Sequence, residues 1–256
     1  MPPRFIPGPV DIDAYRRRIG YEGPLEPTLD VLKALCQRQT FSIPFENLNI
    51  SAGVPLLVDP KHNFEKLIRQ RRGGWCLEQN GVFASVLRAA GFELDILGAR
   101  VWRGGNLSYP NSHMTLLVHL DEPWIADVGF GGRILGPLRL ADRGEQVYGI
   151  RTYHVDNDGD QWFIAAGEPG ASTDMYTFRL QPREFADFED ANEWLQTSPE
   201  SRFTLGDVVS LATPSGRATL GGSRLIITQG EDRQEREVSP AERCATLEER
   251  FNIHLA

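Results

Sequence analysis

The chain at positions 72–80 reads Arg72-Gly73-Gly74-Trp75-Cys76-Leu77-Glu78-Gln79-Asn80. The paired glycines predict a turn, and the apolar spacing that follows predicts a helix over residues 76–89 that Gly91 stops. Cys76 would then begin the helix, where backbone N–H groups lack intrahelical partners and the helix dipole is positive. Because such an environment favours the thiolate form, Cys76 is a candidate nucleophile.

The segments on either side of this helix differ in periodicity. Helical spacing dominates the first third of the chain, with Asp11, Thr28 and Asn63 as candidate N-caps. Short segments of strand-like composition follow, separated by Gly, Asp and Asn turns, which favours an antiparallel sheet closing into a small barrel. A helix near 182–196, short strands and a helix near 240–251 come last. The barrel strands are predicted at residues 94–101, 114–120, 124–128, 147–155, 161–166 and 175–180.

Composition narrows the class of protein. The 256 residues suit one large domain or two to three small ones, and 41% hydrophobic with 24% charged residues is ordinary for a soluble protein. A net charge of −8 gives no support for a nucleic-acid partner. We expect no membrane span and no signal core in residues 1–7. Cys36, Cys76 and Cys244 form no CxxC pair, so we expect no metal site. Their odd number argues against a disulfide scaffold, and we expect a reducing, cytoplasmic location.

An acid within an apolar segment is the next informative feature. Asp127 follows Trp124-Ile125-Ala126 and precedes Val128, so it is predicted to be buried in or beside a strand. A buried carboxylate needs a partner, because unpaired burial costs several kcal/mol. His113, at the start of the preceding predicted strand, is the nearest candidate in the sequence.

The register of these two strands decides whether the two side chains meet. A three-residue loop over 120–122 places Thr115 opposite Asp127, so that His113 is a diagonal neighbour on the same face. A two-residue turn at Glu122-Pro123 would instead put His113 on the other face. We predict the first register, because Glu122-Pro123 lacks the residues with positive φ that such tight turns prefer.

The predicted register suggests a role for each of three side chains. Asp127 would orient His113 and stabilise its protonated form, His113 would accept the Cys76 proton, and Cys76 would attack an acyl carbon. A histidine in a strand is commonly structural, however, and Cys-His-Asp combinations occur by chance in many chains. The spacing alone therefore leaves open whether these residues form a catalytic triad.

A series of motifs along nearly the whole chain carries a family resemblance. The motifs are Asp13-Ala14-Tyr15, Arg18-Ile19-Gly20-Tyr21, Ile43-Pro44-Phe45-Glu46-Asn47-Leu48, Arg72-Gly73-Gly74-Trp75-Cys76, His113-Met114-Thr115-Leu116-Leu117-Val118, Asp127-Val128-Gly129-Phe130-Gly131, Leu195-Gln196-Thr197-Ser198-Pro199-Glu200-Ser201-Arg202-Phe203 and Phe251-Asn252-Ile253-His254-Leu255. In this order they resemble the bacterial type of arylamine N-acetyltransferase, and the ordered set is far more specific than any single match.

The resemblance implies an α+β fold in three parts. It implies an N-terminal helical bundle at 1–91 that carries the nucleophilic cysteine, and a central antiparallel β-barrel at 92–195 that carries the histidine and aspartate. A C-terminal α/β lid at 196–256 follows. The Cys-His-Asp core would be similar to that of cysteine proteases and transglutaminases.

The resemblance also implies a triad of Cys76, His113 and Asp127 and a ping-pong reaction. Acetyl-CoA, as co-substrate, would acetylate Cys76. The nitrogen of an arylamine, arylhydrazine or N-hydroxyarylamine would then take the acetyl group, in a role that includes xenobiotic metabolism. No tightly bound cofactor is implied.

Two sets of binding residues follow from the matched motifs. Gly129, Gly131 and Gly132 could let the backbone approach the pantetheine or pyrophosphate of CoA, although glycines there could equally serve a strand bend. For the aromatic acceptor we nominate a set of aromatic side chains, each of which could instead be core packing: Phe45, Phe130 and Phe203. Arg72 is either structural or directed toward CoA.

Other functions share the same residue pattern. An amide synthase of the same fold would use the triad on a carrier-bound acyl chain, a cysteine peptidase or transglutaminase would act on peptide amides, and a non-catalytic binding protein would use only the scaffold. The sequence leaves open the physiological acceptor, the acyl-CoA selectivity, the mode of CoA binding, and whether the protein is a monomer or a homodimer.

Overall fold

The computed structural model describes residues 10–103, 106–167 and 173–255. Two segments have other helical geometry: Glu65–Arg69 is a π-helical turn and Phe185–Phe188 is a 3-10 helix. The α-helices are α1 (Ile12–Ile19), α2 (Leu29–Ser42), α3 (Leu48–Ser51), α4 (Pro60–Phe64), α5 (Cys76–Ala89), α6 (Glu189–Thr197) and α7 (Arg243–Phe251).

The strands form two antiparallel sheets. They are β1 (Phe45–Glu46), β2 (Glu93–Arg103), β3 (Asn106–Leu107), β4 (His113–His119), β5 (Pro123–Ala126), β6 (Leu138–Arg139), β7 (Gln146–Tyr148), β8 (Arg151–Asp158), β9 (Gln161–Gly167), β10 (Thr173–Arg183), β11 (Val208–Thr213), β12 (Gly216–Gly221), β13 (Arg224–Gln229) and β14 (Asp232–Glu237).

Side-chain caps define the N-terminal helices. Asp11 accepts the Ala14 N–H at 2.9 Å and Thr28 accepts the Val31 N–H at 3.3 Å, which confirms both predicted caps. The prediction that Asn63 caps a helix is wrong. That helix starts earlier, because an aspartate cap followed by proline at the first helical position makes a better start: Asp59-Pro60.

The central sheet curls into a nearly closed barrel with the strand order β6-β5-β4-β2-β10-β9-β8-β7, and β3 pairs with β2. The Gln146 side chain of β7 joins its two edges, because it accepts the Arg139 N–H at 2.7 Å and donates to the Arg139 carbonyl at 2.9 Å. Large apolar side chains, including Tyr153, Tyr176 and Phe178, fill the interior. The predicted strand 147–155 is wrong in one respect, because it is a hairpin of β7 and β8.

The C-terminal sheet has the order β1-β11-β12-β13-β14. One face of β11 and β12 carries Val209 and Leu220, which pack with Leu247 and Phe251 of α7 in a separate core. The opposite face lines a cavity that also contains Cys76. β14 was not predicted, because its six residues Asp232–Glu237 are all exposed and show no apolar alternation.

The three predicted regions are not fully separate in space. The strand β1, from the N-terminal region, pairs with β11, with Phe45 opposite Ser210. The boundaries after residues 91 and 195 stay a prediction. Among the described helices, none is both long enough and apolar enough to cross a membrane.

Candidate active site

Cys76 is the first residue of α5 and is buried. The turn before it lies against β1: the Gly74 N–H donates to the Pro44 carbonyl at 3.1 Å, and the Glu46 N–H donates to the Gly74 carbonyl at 3.2 Å. A side chain at Gly73 would collide with the Pro44 carbonyl, which explains the glycine at that position. The predicted helix start at Cys76 is confirmed.

Buried ion pairs hold the first turn of α5. Lys66 donates to both carboxylate oxygens of Glu78 at 2.8 and 3.0 Å, and one of these oxygens also accepts the Trp75 N–H at 3.0 Å. Lys66 lies 3.9 Å from Glu46, whose same oxygen binds Arg72 at 2.8 Å. Arg72 therefore has a structural contact behind the cysteine. This network was not predicted from the sequence.

His113 and Asp127 form a short, buried hydrogen bond. The pairing of His119 with Pro123 leaves residues 120–122 as the loop, which confirms the predicted register of β4 and β5. In this register the two side chains share a face, and Nε2 of His113 lies 2.6 Å from Oδ2 of Asp127. The predicted contact between them is confirmed.

Charge and burial act in opposite directions on this pair. Burial favours neutral imidazole, but the adjacent Asp127 carboxylate and the Cys76 side chain outweigh it and raise the pKa of His113 to about 10. Burial likewise opposes ionisation of Asp127, whereas His113 and hydrogen bonds from Asn80 and Gly129 hold its pKa below the usual range. Because Nε2 of His113 is bonded to Asp127, Nδ1 is the nitrogen available to the Cys76 thiol.

Asn80 joins the nucleophile helix to both strands of this pair. It lies one turn after Cys76 and is fully buried. Its amide nitrogen donates to the Met114 carbonyl at 2.6 Å and to Asp127 at 2.9 Å, and its oxygen accepts the Val128 N–H at 2.9 Å. Asn80 was not predicted from the sequence as a site residue. Its signal was a polar residue four positions after the cysteine, on the face of the helix that the cysteine shares.

Cys76 and His113 open onto a cavity of about 230 Å³ that lies between the barrel and the C-terminal sheet. The pocket-facing residues of that sheet include Ser210 and Thr219, which are paired across β11 and β12. Both faces of β11 and β12 are thus occupied, one by the α7 core and the other by the cavity.

The three nominated phenylalanines all line this cavity. Phe130 packs edge-on against the His113 ring at a centroid distance of 5.0 Å. Phe203 lies 5.5 Å from the Trp75 ring and 6.0 Å from the Phe45 ring. They form an aromatic wall beside the thiol, and their contact with an acceptor stays a prediction.

The nominated glycines have different surroundings. A Cβ at Gly129 would lie 2.8 Å from the Cys76 Cα, and one at Gly132 would lie 2.8 Å from the Ala212 Cβ, so close packing explains both residues. Gly131 has a φ of +62° and lines the cavity, as does Gly129, whereas Gly132 is not among the residues that line it. Their contact with CoA stays a prediction.

The other two cysteines lie away from this site. Cys36 is buried in the helical core, where burial raises the pKa of its thiol, and Cys244 is exposed. Within residues 10–103, 106–167 and 173–255, no group of three or more His, Cys, Asp or Glu side chains is arranged to hold a metal ion.

Comparison with known proteins agrees with this architecture. The family model described as N-acetyltransferase matches residues 28–256. An arylamine N-acetyltransferase of Mycolicibacterium smegmatis is 34% identical, over 96% of this chain and 93% of the relative. The solved structure of the M. smegmatis enzyme superposes with a TM-score of 0.90 at 32% identity, covering 96% of this chain and 93% of that one.

A Mycobacterium marinum arylamine N-acetyltransferase in complex with CoA superposes with a TM-score of 0.88 at 31% identity, covering 95% of this chain and 93% of that chain. Fold and family model together define an acyltransferase of the N-acetyltransferase class. More specifically, the chain belongs to the arylamine N-acetyltransferase family, whose members are acetyl-CoA-dependent enzymes. The resemblance stated from the motifs and the predicted α+β fold class are confirmed.

Proposed function

We propose that this enzyme transfers the acetyl group of acetyl-CoA to the nitrogen of an arylamine, arylhydrazine or N-hydroxyarylamine, through a thioester on Cys76. One observation carries the proposal. The thiol at the start of α5 and the His113 ring, which is bonded to Asp127 at 2.6 Å, line the same aromatic cavity. Family membership supports the donor and the acceptor class.

The first half-reaction begins with the Cys76 proton held by His113, whose raised pKa favours the imidazolium, and the sulfur attacks the acetyl carbonyl carbon. The resulting tetrahedral intermediate collapses with cleavage of the bond between carbon and the CoA sulfur. His113 returns the proton to the departing CoA thiolate. Asp127 stabilises the imidazolium between these steps. Because one thioester replaces another, the exchange is nearly neutral in free energy.

In the second half-reaction the acceptor nitrogen attacks the thioester carbon. Aromatic amines are weakly basic, so their nitrogen is unprotonated and nucleophilic at neutral pH. His113 accepts the proton that the nitrogen loses, and the Cys76 sulfur leaves as the amide forms. The aromatic wall of Phe45, Phe130 and Phe203 supports an aromatic acceptor, because it offers apolar ring faces beside the thiol.

The cellular setting is part of the proposal. Free thiols at Cys36, Cys76 and Cys244 are consistent with a reducing cytoplasm, where disulfides rarely persist. A small aromatic amine or hydrazine is the proposed second substrate.

The test is intact-protein mass spectrometry after brief mixing with acetyl-CoA. Wild type should gain one acetyl group and lose it when an arylamine or arylhydrazine is added. Cys76→Ser should gain none, whereas Cys244→Ser, which removes an exposed thiol, should be acetylated like wild type. Absence of an adduct on folded wild type would contradict the proposal and favour an amide synthase that accepts carrier-bound acyl chains.

A further inference from the structure

The cavity that holds Cys76 has a one-sided charge distribution. Apart from His113, the charged side chains that line it are Arg133, Arg202 and Arg217, and within the described part of the chain no Asp or Glu lines it. The protein as a whole carries a net charge of −8. The positive charge of the cavity is therefore opposite in sign to the net charge of the protein and must have its reason in the site itself.

Among the residues that the structure describes, these three arginines have no carboxylate partner, whereas several arginines elsewhere do. Arg72 and Arg243, for example, bind carboxylates at 2.8 and 2.7 Å. Over the described ranges, neither Arg133, Arg202 nor Arg217 forms an ion pair. Arg202 instead lies over the Phe203 ring, with its guanidinium carbon 5.8 Å from the ring centroid.

Their grouping is electrostatically unfavourable in the absence of an anion. Burial and the charges of Arg151 and Arg202 lower the pKa of Arg133, and burial and the charges of Arg133 and Arg151 lower the pKa of Arg217 to about 10. Like charges gathered at a partly desolvated site gain most from a ligand that brings negative charge.

Three different parts of the fold supply these arginines. Arg217 is on β12 and shares the cavity face with Thr219, two residues along the strand. Arg133 lies within the loop between β5 and β6, and Arg202 comes from the connection between α6 and β11. The three arginines therefore come from separate segments that line the same cavity as the thiol.

We propose that Arg133, Arg202 and Arg217 form the binding site for the phosphate groups of acetyl-CoA, while its thioester lies at Cys76. The inference rests on the proposed function. Guanidinium groups bind phosphate oxygens through paired N–H donors, and several such groups match the pyrophosphate and 3′-phosphate of CoA better than a single carboxylate on an acceptor.

The experiment compares two acetyl donors on arginine variants. The second-order rate constant for acetylation of Cys76 is measured by quenched mass spectrometry with acetyl-CoA and with S-acetylpantetheine, which lacks the phosphates of CoA. The variants are Arg133→Gln, Arg202→Gln and Arg217→Gln. Arg38→Gln, which removes an exposed arginine on α2, is the matched control.

The ratio of the two rate constants, acetyl-CoA over S-acetylpantetheine, should fall by roughly tenfold for each cavity arginine removed, because each loses a charge-assisted hydrogen bond. It should match wild type in Arg38→Gln. Raising the salt concentration should lower the acetyl-CoA rate constant more in wild type than in the variants, because screening weakens phosphate binding.

Other outcomes would overturn the inference. An equal loss with both donors would show that the arginines act on the structure of the site. A defect confined to discharge by a carboxylated arylamine, and absent with its methyl ester, would assign them to the acceptor. Equal wild-type rates with both donors would reject the phosphate site and leave the proposed function intact. Absence of acetylation with either donor would reject the proposed function itself.

Discussion

Asp127 shows how one buried acid is accommodated at the residue scale. Its carboxylate is fully buried, yet it accepts hydrogen bonds from His113 at 2.6 Å, Asn80 at 2.9 Å and the Gly129 N–H at 2.9 Å. These donors stabilise the ionised form and offset the cost of removing it from water. The acid therefore keeps its charge beside the imidazole, which is the condition for raising the pKa of His113.

The pH dependence of stability follows from that raised pKa. The folded pKa of His113 is about 10 against an ordinary 6.5, so protonated His113 stabilises the fold fully below about pH 6.5, and the contribution is lost as pH rises through about 10. Asp127→Asn should lower the unfolding free energy by about 3–5 kcal/mol near neutral pH, and the difference from wild type should narrow toward about pH 10. Urea titrations at several pH values measure this difference. A difference in unfolding free energy that does not change with pH would contradict the raised pKa of His113.

At the scale of single elements, the start of α5 is held from two sides. Behind it, the Lys66–Glu78 pair binds the Trp75 N–H. In front of it, Gly129 allows the loop after β5 to lie directly on the Cys76 backbone. Both devices restrain the position of the thiol relative to the histidine strand.

Lys66→Met tests the support behind the helix. It should lower the unfolding free energy by about 3–5 kcal/mol, because Glu78 is left buried without its counter-charge. Arg69→Met, which breaks solvent-exposed ion pairs with Glu65 and Asp11, should cost less than about 1 kcal/mol. Chemical denaturation measures the unfolding free energy of both variants. Losses of similar size would show that the buried Lys66–Glu78 pair stabilises the fold no more than an exposed pair does.

Gly129→Ala tests the contact in front of the helix. The added Cβ would lie 2.7–2.9 Å from the Asn80 side chain and the Cys76 backbone, so the loop must shift. We expect a stability loss of about 1–3 kcal/mol and slower acetylation of Cys76. Gly221→Ala, whose Cβ meets nothing within 4 Å, should stay within about 0.5 kcal/mol of wild type. Thermal unfolding and the acetylation rate are the readouts, and wild-type values for Gly129→Ala would rule out the close approach.

At the scale of the whole molecule, the cavity exists only because distant parts of the chain meet. Asn47 is the link between the N-terminal region and the C-terminal sheet. Its amide donates to the carbonyls of Phe203 at 2.9 Å and Gly206 at 3.1 Å, and its oxygen accepts the Val208 N–H at 2.7 Å. The cavity wall at Phe203 thus depends on a buried side chain more than 150 positions earlier in the chain.

Asn47→Ala should therefore affect both stability and acceptor use. The backbone groups that Asn47 binds would be left buried without a partner, at a cost of about 1–3 kcal/mol for each group. Displacement of Phe203 should raise the KM for an aromatic acceptor. Asn157→Ala, on an exposed barrel hairpin, should change stability by less than about 0.5 kcal/mol and leave KM unaltered. Denaturation curves and steady-state kinetics measure both effects. A KM like that of wild type in Asn47→Ala would separate Phe203 from acceptor binding.

Local sequence was enough to predict the helix that begins at Cys76 and the pairing of His113 with Asp127. Both depend on short-range rules: two glycines before an amphipathic helix, and a three-residue loop that sets the register of adjacent strands. The motifs were also enough to predict the family, because several different motifs rarely occur in the same order by chance.

Tertiary contacts alone decided the rest. Nothing in the local sequence distinguishes Lys66 and Glu78 from exposed charged residues, yet the fold buries both as an ion pair. Likewise, β14 forms a strand because β13 provides an edge with which it pairs. The grouping of Arg133 with Arg217 joins positions 84 residues apart (217 − 133). Burial and long-range pairing depend on which elements pack together, and no local periodicity encodes that choice, so these features emerge only in the folded molecule.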